Sequence, residues 1–176
     1  MNGWAFSNLL DSCFISTPSL VIARRDTLID VGGFDESVKL GADYDCWLRL
    51  TAKYPIASAP GAWISYRKHP RQMSSHFGAR GLAHVVTIKR ALELVRTRAV
   101  ATENKPEEID AEAQMRRAYL TALHWAYNAE SYGMVRQLGY AALRDGMFDR
   151  SFLMRWFSSY LPRWVLGPLR RRLSSE

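Results

Sequence analysis

Residues 19–74, SLVIARRDTLIDVGGFDESVKLGADYDCWLRLTAKYPIASAPGAWISYRKHPRQMS, alternate between two kinds of local pattern. Ser19–Ala23 and Ala62–Tyr66 are rich in β-branched and aromatic residues and are bounded by proline or glycine, which predicts two short strands. Between them, Asp26–Val31 predicts a short helix and Asp43–Tyr54 a longer amphipathic one. Short strands with flanking helices predict an α/β fold for this part of the chain.

The remainder of the chain is predicted to be mostly helical. Residues 78–148 carry two stripes of apolar side chains at three- and four-residue steps, separated by the polar break Glu103–Glu108. A further short helix, Met134–Arg144, closes an antiparallel pair with the second stripe. We therefore expect an α/β part over residues 1–77, the helical region 78–148 and a basic, aromatic tail over 149–176. The two stripes are Leu82, Val85, Ile88, Leu92 and Val95, and Met115, Tyr119, Ala122, Trp125 and Ala129.

Composition excludes several classes of protein. With 176 residues, 48% hydrophobic and 23% charged, the chain is of ordinary globular type rather than disordered or collagen-like. The two cysteines, Cys13 and Cys46, are too few for a disulfide framework or a thiolate zinc site, which favours a reduced, cytosolic setting. The first residues lack the pattern of a secretory signal, and no uncharged apolar run reaches the length of about 18 residues that a membrane span needs.

Positive charge is concentrated near the end of the chain. Lysine and arginine number 24 against 17 acidic residues, a net charge of +7, which favours an anionic partner. Between Ser151 and Leu173 there are five arginines and no acidic residue. The basic residues are not arranged as a recognition helix or among stacking aromatics on strands, so we expect no nucleic-acid partner.

Three motifs follow one another within residues 19–74. They are VGGFDE at Val31–Glu36, ADYDCWLRL at Ala42–Leu50 and YRKH at Tyr66–His69. Their order and spacing resemble the second half of the inverting glycosyltransferases of family 2, which have the GT-A fold; each motif alone would be weak. The resemblance implies transfer of a sugar, with inversion, from a nucleotide-sugar donor to a glycan or lipid-linked acceptor.

Such a transfer needs a carboxylate that removes the proton of the acceptor hydroxyl. By resemblance this general base is the aspartate of a Glu-Asp pair, which corresponds to Asp43; here Ala42 stands in place of the glutamate. The other role for Asp43 is to cap the helix. Asp45 would point about 200° away from Asp43 on a helix, so the two cannot face one pocket. Asp45 is more simply a negative charge that suits the helix N-terminus.

Five further residues are candidates for substrate contacts, of which Arg67 and His69 are implied by the resemblance. Asp35 and Glu36 would contact acceptor hydroxyls or only shape the turn, and Trp47 would stack on a sugar or lie in the core. Arg67 would bind the donor diphosphate, for which guanidinium groups are well suited. His69 would contact a phosphate or the metal, or be an ordinary histidine.

The resemblance also implies a divalent metal, Mg²⁺ or Mn²⁺, in the intact enzyme. Asp43-Tyr44-Asp45 spells D-x-D, the metal–nucleotide signature of this fold, but it opens a helix after VGGFDE, whereas the signature follows a strand in the first half of the domain. We therefore do not assign Asp43 and Asp45 to the metal. We expect the main metal ligands and the nucleotide-binding half to be missing from this chain, which leaves an apolar face in need of a partner and makes activity of the chain alone doubtful.

The tail suggests where the protein acts. Aromatic residues interleaved with arginine over residues 149–173 suit a helix in a membrane interface, and equally a helix that packs on the body with a solvated end. We expect a cytoplasmic protein and leave open peripheral binding at the cytoplasmic membrane face. The alternative function is a non-catalytic, membrane-peripheral interaction module derived from such an enzyme.

Overall fold

The computed structural model describes residues 2–61, 64–65, 67, 77–147 and 150–161. These residues are mostly helical with one short sheet. Strands β1 (Asn2–Gly3) and β2 (Ile56–Ala57) pair antiparallel, with Asn2 opposite Ala57. The helices are α1 (Phe6–Asp11), α2 (Arg25–Asp30), α3 (Ala42–Lys53), α4 (Phe77–Arg96), α5 (Ala111–Asn128), α6 (Tyr132–Arg144) and α7 (Arg150–Ser158), with single 3-10 turns at Pro18–Leu20, Thr102–Asn104 and Pro106–Glu108.

The two helices predicted between the strands are confirmed as α2 and α3. Helix α3 begins after Gly41, whose φ of 77° is accessible to glycine at little cost. Its first turn carries two aspartates and its last turn Lys53, a distribution of charge that stabilises both ends of the helix dipole. On its inner face, Trp47 and Leu50 are buried.

The strand predicted at Ser19–Ala23 is absent. Pro18–Leu20 forms a 3-10 turn, the residues after it belong to no strand, and the side chain of Ile22 is fully exposed. A β-branched run becomes a strand only where a neighbouring backbone accepts its hydrogen bonds, and no described segment pairs with this one. Of the strand predicted at 62–66, Ile64 and Ser65 are not in a strand and the other residues lie outside the described part of the chain. The expectation of a mostly helical later part is thus confirmed, whereas the strands of residues 1–77 are corrected: the described residues contain one pair of two-residue strands.

The predicted helical stripes are confirmed as the centre of the core. Val85, Ile88 and Leu92 of α4 are buried, as are Met115 and Tyr119 of α5. At one end of this pair, a Cβ added to Gly81 would lie 3.0 Å from the carbonyl oxygen of Ala122, so the early part of α4 lies close against the late part of α5. Helix α6 runs back along α5, as predicted; only Ala129 of the second stripe is exposed, because it caps the end of α5.

The polar segment between the two apolar stripes contains a buried asparagine, Asn104, that was not identified from the sequence. Asn104 donates to the carbonyl oxygens of Thr51 (3.0 Å) and Ala52 (3.2 Å) of α3. Its own side-chain oxygen accepts from the backbone N–H of Phe6 at 3.1 Å. One asparagine therefore holds α1, α3 and the α4–α5 connection together.

Helix α7 docks on α6 at a glycine. A Cβ added to Gly139 would lie 2.0 Å from Nε1 of Trp156, so only glycine admits the indole ring there. One continuous core runs from Phe6 to Trp156 and so includes side chains from each predicted part. Both cysteines are free. None of the described helices is long and apolar enough to span a membrane.

Candidate active site

A cavity of about 390 Å³ lies where α3 meets α1, α4 and α5. Asp43 and Tyr44 line it from α3, and His84 from α4. Trp125 lines it from α5, and Cys13 from the segment after α1. The cavity therefore combines side chains that lie more than 100 residues apart in the sequence.

Asp43 lies at the start of α3, where the helix rises out of the Gly41 turn. Its Oδ1 accepts the backbone N–H of Tyr44 at 2.9 Å. The alternative that Asp43 is the N-cap is wrong, because Gly41 occupies that position and α3 has no side-chain cap. Within the described chain, Oδ2 of Asp43 has no hydrogen-bond partner. A half-buried carboxylate is thus fixed through one oxygen while the other can accept a proton.

Three rings form one wall of the cavity. Tyr44 and His84 are nearly parallel, with centroids 6.0 Å apart, and His84 lies 5.2 Å from Trp125. The guanidinium of Arg80 lies 5.4 Å from the centroid of Trp125, a cation–π contact. This wall offers aromatic surface beside a fixed positive charge.

Burial sets the protonation states of two of these rings. The hydroxyl of Tyr44 donates to the carbonyl oxygen of Leu9 at 2.8 Å, and burial raises the pKa of Tyr44 well above its usual range. Burial, together with the charge of Arg80, lowers the pKa of His84 to about 4. His84 is therefore a neutral imidazole at pH 7, able to donate one hydrogen bond and to accept another.

The rim of the cavity is held by an ion pair. Arg117 of α5 binds Asp11 at 2.5 Å, and Gln114 donates to the same carboxylate oxygen at 2.5 Å. With Asp43 and Arg80, the lining carries both signs of charge as well as aromatic rings. Such a surface suits a hydroxyl-rich ligand better than an apolar one.

Asp45 faces away from this cavity and organises the VGGFDE turn. Its side chain is 4% exposed and binds Arg49 at 2.8 Å and Arg90 of α4 at 3.2 Å. Arg49 also donates to the carbonyl oxygens of Val31 and of Gly33, the latter at 2.7 Å. The first-turn charge of Asp45 is therefore also the anchor of a network that sequence reasoning missed.

Asp35 belongs to the same network. It accepts from the backbone N–H of Ser37 at 2.9 Å and from its hydroxyl at 2.6 Å, and it binds Arg90 at 2.8 Å. The hydrogen bonds from Ser37, and then the contact with Arg90, lower the pKa of Asp35 to about 2. Asp35 does not line the cavity, so its observed contacts are those of a turn residue.

The other predicted substrate contacts lie elsewhere. Glu36 and Arg67 are exposed and do not line the cavity, and His69 lies outside the described residues. Trp47 is 4% exposed and belongs to the core, with Phe34 edge-on at 5.6 Å. Of the two roles left open for Trp47, its burial supports the core role and not stacking on a sugar, since a ring enclosed by the core presents no face to a ligand.

From the sequence, Trp125 was predicted as part of the second apolar stripe, and Arg80 and His84 were not identified as site residues. The available signal was the spacing of Arg80 and His84, which are four residues apart and so share a face of α4. Arg80 and His84 lie beside the apolar stripe of α4, where polar side chains need other polar groups close by. Spacing along α4 could not show that α3 lies there and supplies them.

The described residues do not fit a divalent metal. Among them, no group of three or more histidine, cysteine, aspartate or glutamate side chains could hold an ion. The two aspartates of the D-x-D triplet have separate surroundings, and Asp45 is bound by arginines, which would repel a cation. We derive no step through a metal from these residues.

Comparison with known families supplies the context for this site. The family described as "Glycosyltransferase like family 2" matches residues 2–121, more than half of the chain. The match includes Asp43, Arg80 and His84, whereas Trp125 lies beyond it. The curated proteins and the solved structures give no match. On the strength of the family match, the chain belongs to the glycosyltransferase-like family 2.

Proposed function

We propose that this chain carries the acceptor side of an inverting glycosyltransferase of the GT-A type, with Asp43 as general base. The single observation that carries the proposal is the position of Asp43 in a cavity that also contains aromatic, cationic and neutral hydrogen-bonding side chains. The base assignment rests on that position and on the family motif. The donor is a nucleotide-activated sugar, and the acceptor is a glycan or a lipid-linked glycan.

In the proposed reaction, Oδ2 of Asp43 takes the proton of an acceptor hydroxyl as that oxygen attacks the anomeric carbon. The new bond forms on the face opposite the nucleotide, and the bond from the anomeric carbon to the phosphate oxygen breaks. The nucleoside diphosphate leaves with the bonding electron pair, so the anomeric configuration inverts. A positioned base of this kind contributes roughly 10²- to 10⁴-fold to the rate.

Acceptor binding is proposed for the ring wall. Trp125 offers an indole surface for a sugar ring, and the neutral His84 offers a hydrogen bond to a hydroxyl group. Since the charges of Asp43 and Asp11 are balanced by Arg80 and Arg117, the wall favours a hydroxyl-rich acceptor over a strongly charged one. Asp35 and Glu36 remain candidates only for contacts at the edge of the acceptor.

Donor binding is proposed for residues mostly outside those described. Arg67 and His69 are the candidates in this chain for the diphosphate, and Mg²⁺ or Mn²⁺ would neutralise its charge when bound. The described residues contain no parallel sheet and no metal-ligand group, so further residues must complete the donor site. We propose a cytoplasmic location, since nucleotide sugars of this kind are cytoplasmic substrates by family resemblance.

The test is an assay of the protein as its gene encodes it. The protein is incubated with uridine, guanosine, thymidine and adenosine diphosphate sugars, glycan acceptors and Mg²⁺ or Mn²⁺, and the products are separated by chromatography. The proposal predicts acceptor-dependent transfer, with inversion seen in the proton coupling of the new anomeric centre by NMR. A product that retains the donor configuration would contradict the mechanism.

The second candidate function is a non-catalytic interaction module derived from such an enzyme. The observation in its favour is that the described residues hold neither a metal-ligand group nor a nucleotide-binding sheet. Absence of nucleoside diphosphate release with every donor, in a protein that still binds a partner, would favour this candidate.

A further inference from the structure

Helix α7 and the residues that follow it present a group of exposed apolar side chains, which we call the α7 face. It consists of Met154, Phe157, Tyr160 and Leu161, together with Tyr140 of α6. Phe157 is 60% exposed, Tyr140 62% and Met154 52%, and the other two are at least 40% exposed. Within α7, Met154 and Phe157 are three residues apart, the spacing of a single helical side. Tyr160 and Leu161 follow the end of the helix.

The three exposed rings of the α7 face all pack against one buried ring, that of Trp156. Trp156 lies beneath, with centroids 5.4 Å from Tyr140, 5.1 Å from Phe157 and 6.1 Å from Tyr160. The hydroxyls of Tyr160 and Tyr140 lie 3.1 Å apart. Since Trp156 is docked against Gly139, this aromatic surface is anchored to the core rather than carried on a loop.

Arginines lie beside the α7 face. Arg150 and Arg155 belong to α7, and Arg136 of α6 lies 4.6 Å from the ring of Tyr160 while donating to the carbonyl oxygen of Ser159 at 2.7 Å. Among the described residues, helix α7 itself carries these two arginines and no acidic side chain. An apolar face next to these cations is complementary to a surface that is apolar inside and negative outside.

The exposed rings and the arginines together favour an anionic bilayer over a protein as the binding partner of the α7 face. A protein partner that covered the α7 face would need carboxylates matched to particular arginines, whereas an anionic bilayer offers phosphates at every position along it. Tyrosine and tryptophan prefer the depth at which lipid headgroups meet the acyl chains, and arginine binds the phosphates there. We propose that the α7 face binds the surface of an anionic phospholipid membrane, with Phe157 and Tyr160 inserted and the arginines at headgroup level.

The proposal goes beyond sugar transfer and is tested without it. The full chain is mixed with vesicles of phosphatidylcholine, or of phosphatidylcholine with about one third phosphatidylglycerol, and the bound fraction is measured by flotation. We expect binding to the anionic vesicles and a loss of binding as salt rises from about 0.1 M to about 0.5 M. Weak or no binding is expected with phosphatidylcholine alone.

The double variant Phe157→Ser/Tyr160→Ser tests the face itself. Because both rings contact Trp156, we expect a lower melting temperature than that of the parent, and binding is compared below both melting temperatures. We expect its affinity for anionic vesicles to fall by about tenfold or more, because two apolar contacts with lipid are lost. Met154→Ser, which removes an exposed apolar side chain of the same face without removing a ring, is measured beside it and should also bind more weakly. The control Val86→Ser removes an exposed apolar side chain from α4 and should bind like the parent.

Three results would overturn the proposal. They are no binding to anionic vesicles at low salt, equal binding by the double variant, and equal binding to neutral and anionic vesicles. A monomer–dimer equilibrium abolished by the double variant, with vesicle binding unchanged, would instead identify the α7 face as a contact between two copies.

Discussion

Asp43 and Asp45 lie two residues apart in the first turn of α3, yet their carboxylates have different surroundings. Asp43 lines the cavity with one oxygen unbonded among the described residues, whereas Asp45 is buried between Arg49 and Arg90. Because an α-helix has about 3.6 residues per turn, side chains two residues apart point in nearly opposite directions. One aspartate can therefore act on a substrate while the other holds the turn beside it.

The Asp45 network should contribute measurably to stability. Asp45→Asn removes the charge that Arg49 and Arg90 share, and we expect the free energy of unfolding to fall by about 1.5–3 kcal/mol, the range for hydrogen bonds to charged groups. Urea unfolding followed by circular dichroism measures it. The matched control is Asp30→Asn, whose pair with Lys53 is about half exposed and should contribute less than about 1 kcal/mol. Equal losses in the two variants would contradict the anchoring role of Asp45.

Adding a single methyl group at Gly139 should weaken the packing of α7 on α6. Gly139→Ala places a Cβ in the indole ring of Trp156, so the ring must move, and we expect a loss of about 1–3 kcal/mol in stability. Gly133→Ala, in the same helix, meets nothing within 4 Å and should be neutral or stabilise by up to about 1 kcal/mol. Thermal unfolding of both variants measures the contrast; a stable Gly139→Ala protein would show that α7 does not dock in this way.

Because of His84, the free energy of unfolding should depend on pH in the mildly acidic range. Its pKa is about 4 in the folded chain, below the ordinary value of 6.5, so the unfolded chain binds the proton first as pH falls. Its contribution is complete above about pH 6.5 and is lost as pH falls toward 4, with a slope of at most about 1.4 kcal/mol per pH unit.

His84→Gln should therefore flatten the pH dependence of the unfolding free energy between pH 4 and 6.5. The comparison variant is His124→Gln, on the exposed side of α5. If the two variants keep the slope of the parent, His84 is not the group that titrates.

Periodicity along the chain predicted the helices well. The stripe through Val85, Ile88 and Leu92 and the stripe through Met115 and Tyr119 identify α4 and α5, because burial on a helix repeats every three to four residues. The strand at Ser19–Ala23 was wrong because a strand depends on a partner elsewhere in the chain. Without a partner among the described residues, the run begins in a 3-10 turn and continues outside any strand.

Within the candidate site, the family motif singled out Asp43, and helix geometry predicted only that Asp45 would point away from it. The role of Asp43 as base stays a prediction. The contributions of His84 and Trp125 depend on α4 and α5 crossing next to α3, and Arg90 reaches Asp45 from 45 residues away. Such contacts follow from tertiary packing, which no local pattern encodes.

The most direct test of the central claim is the turnover of Asp43→Asn, measured in the protein as its gene encodes it with the donor and acceptor that support transfer. The control is Asp26→Asn, an exposed aspartate in the first turn of α2 that does not line the cavity. The account predicts that kcat of Asp43→Asn falls by about 10²- to 10⁴-fold while the dissociation constant of the nucleoside diphosphate is nearly unchanged and Asp26→Asn behaves like the parent. Unchanged kcat in Asp43→Asn would contradict the account.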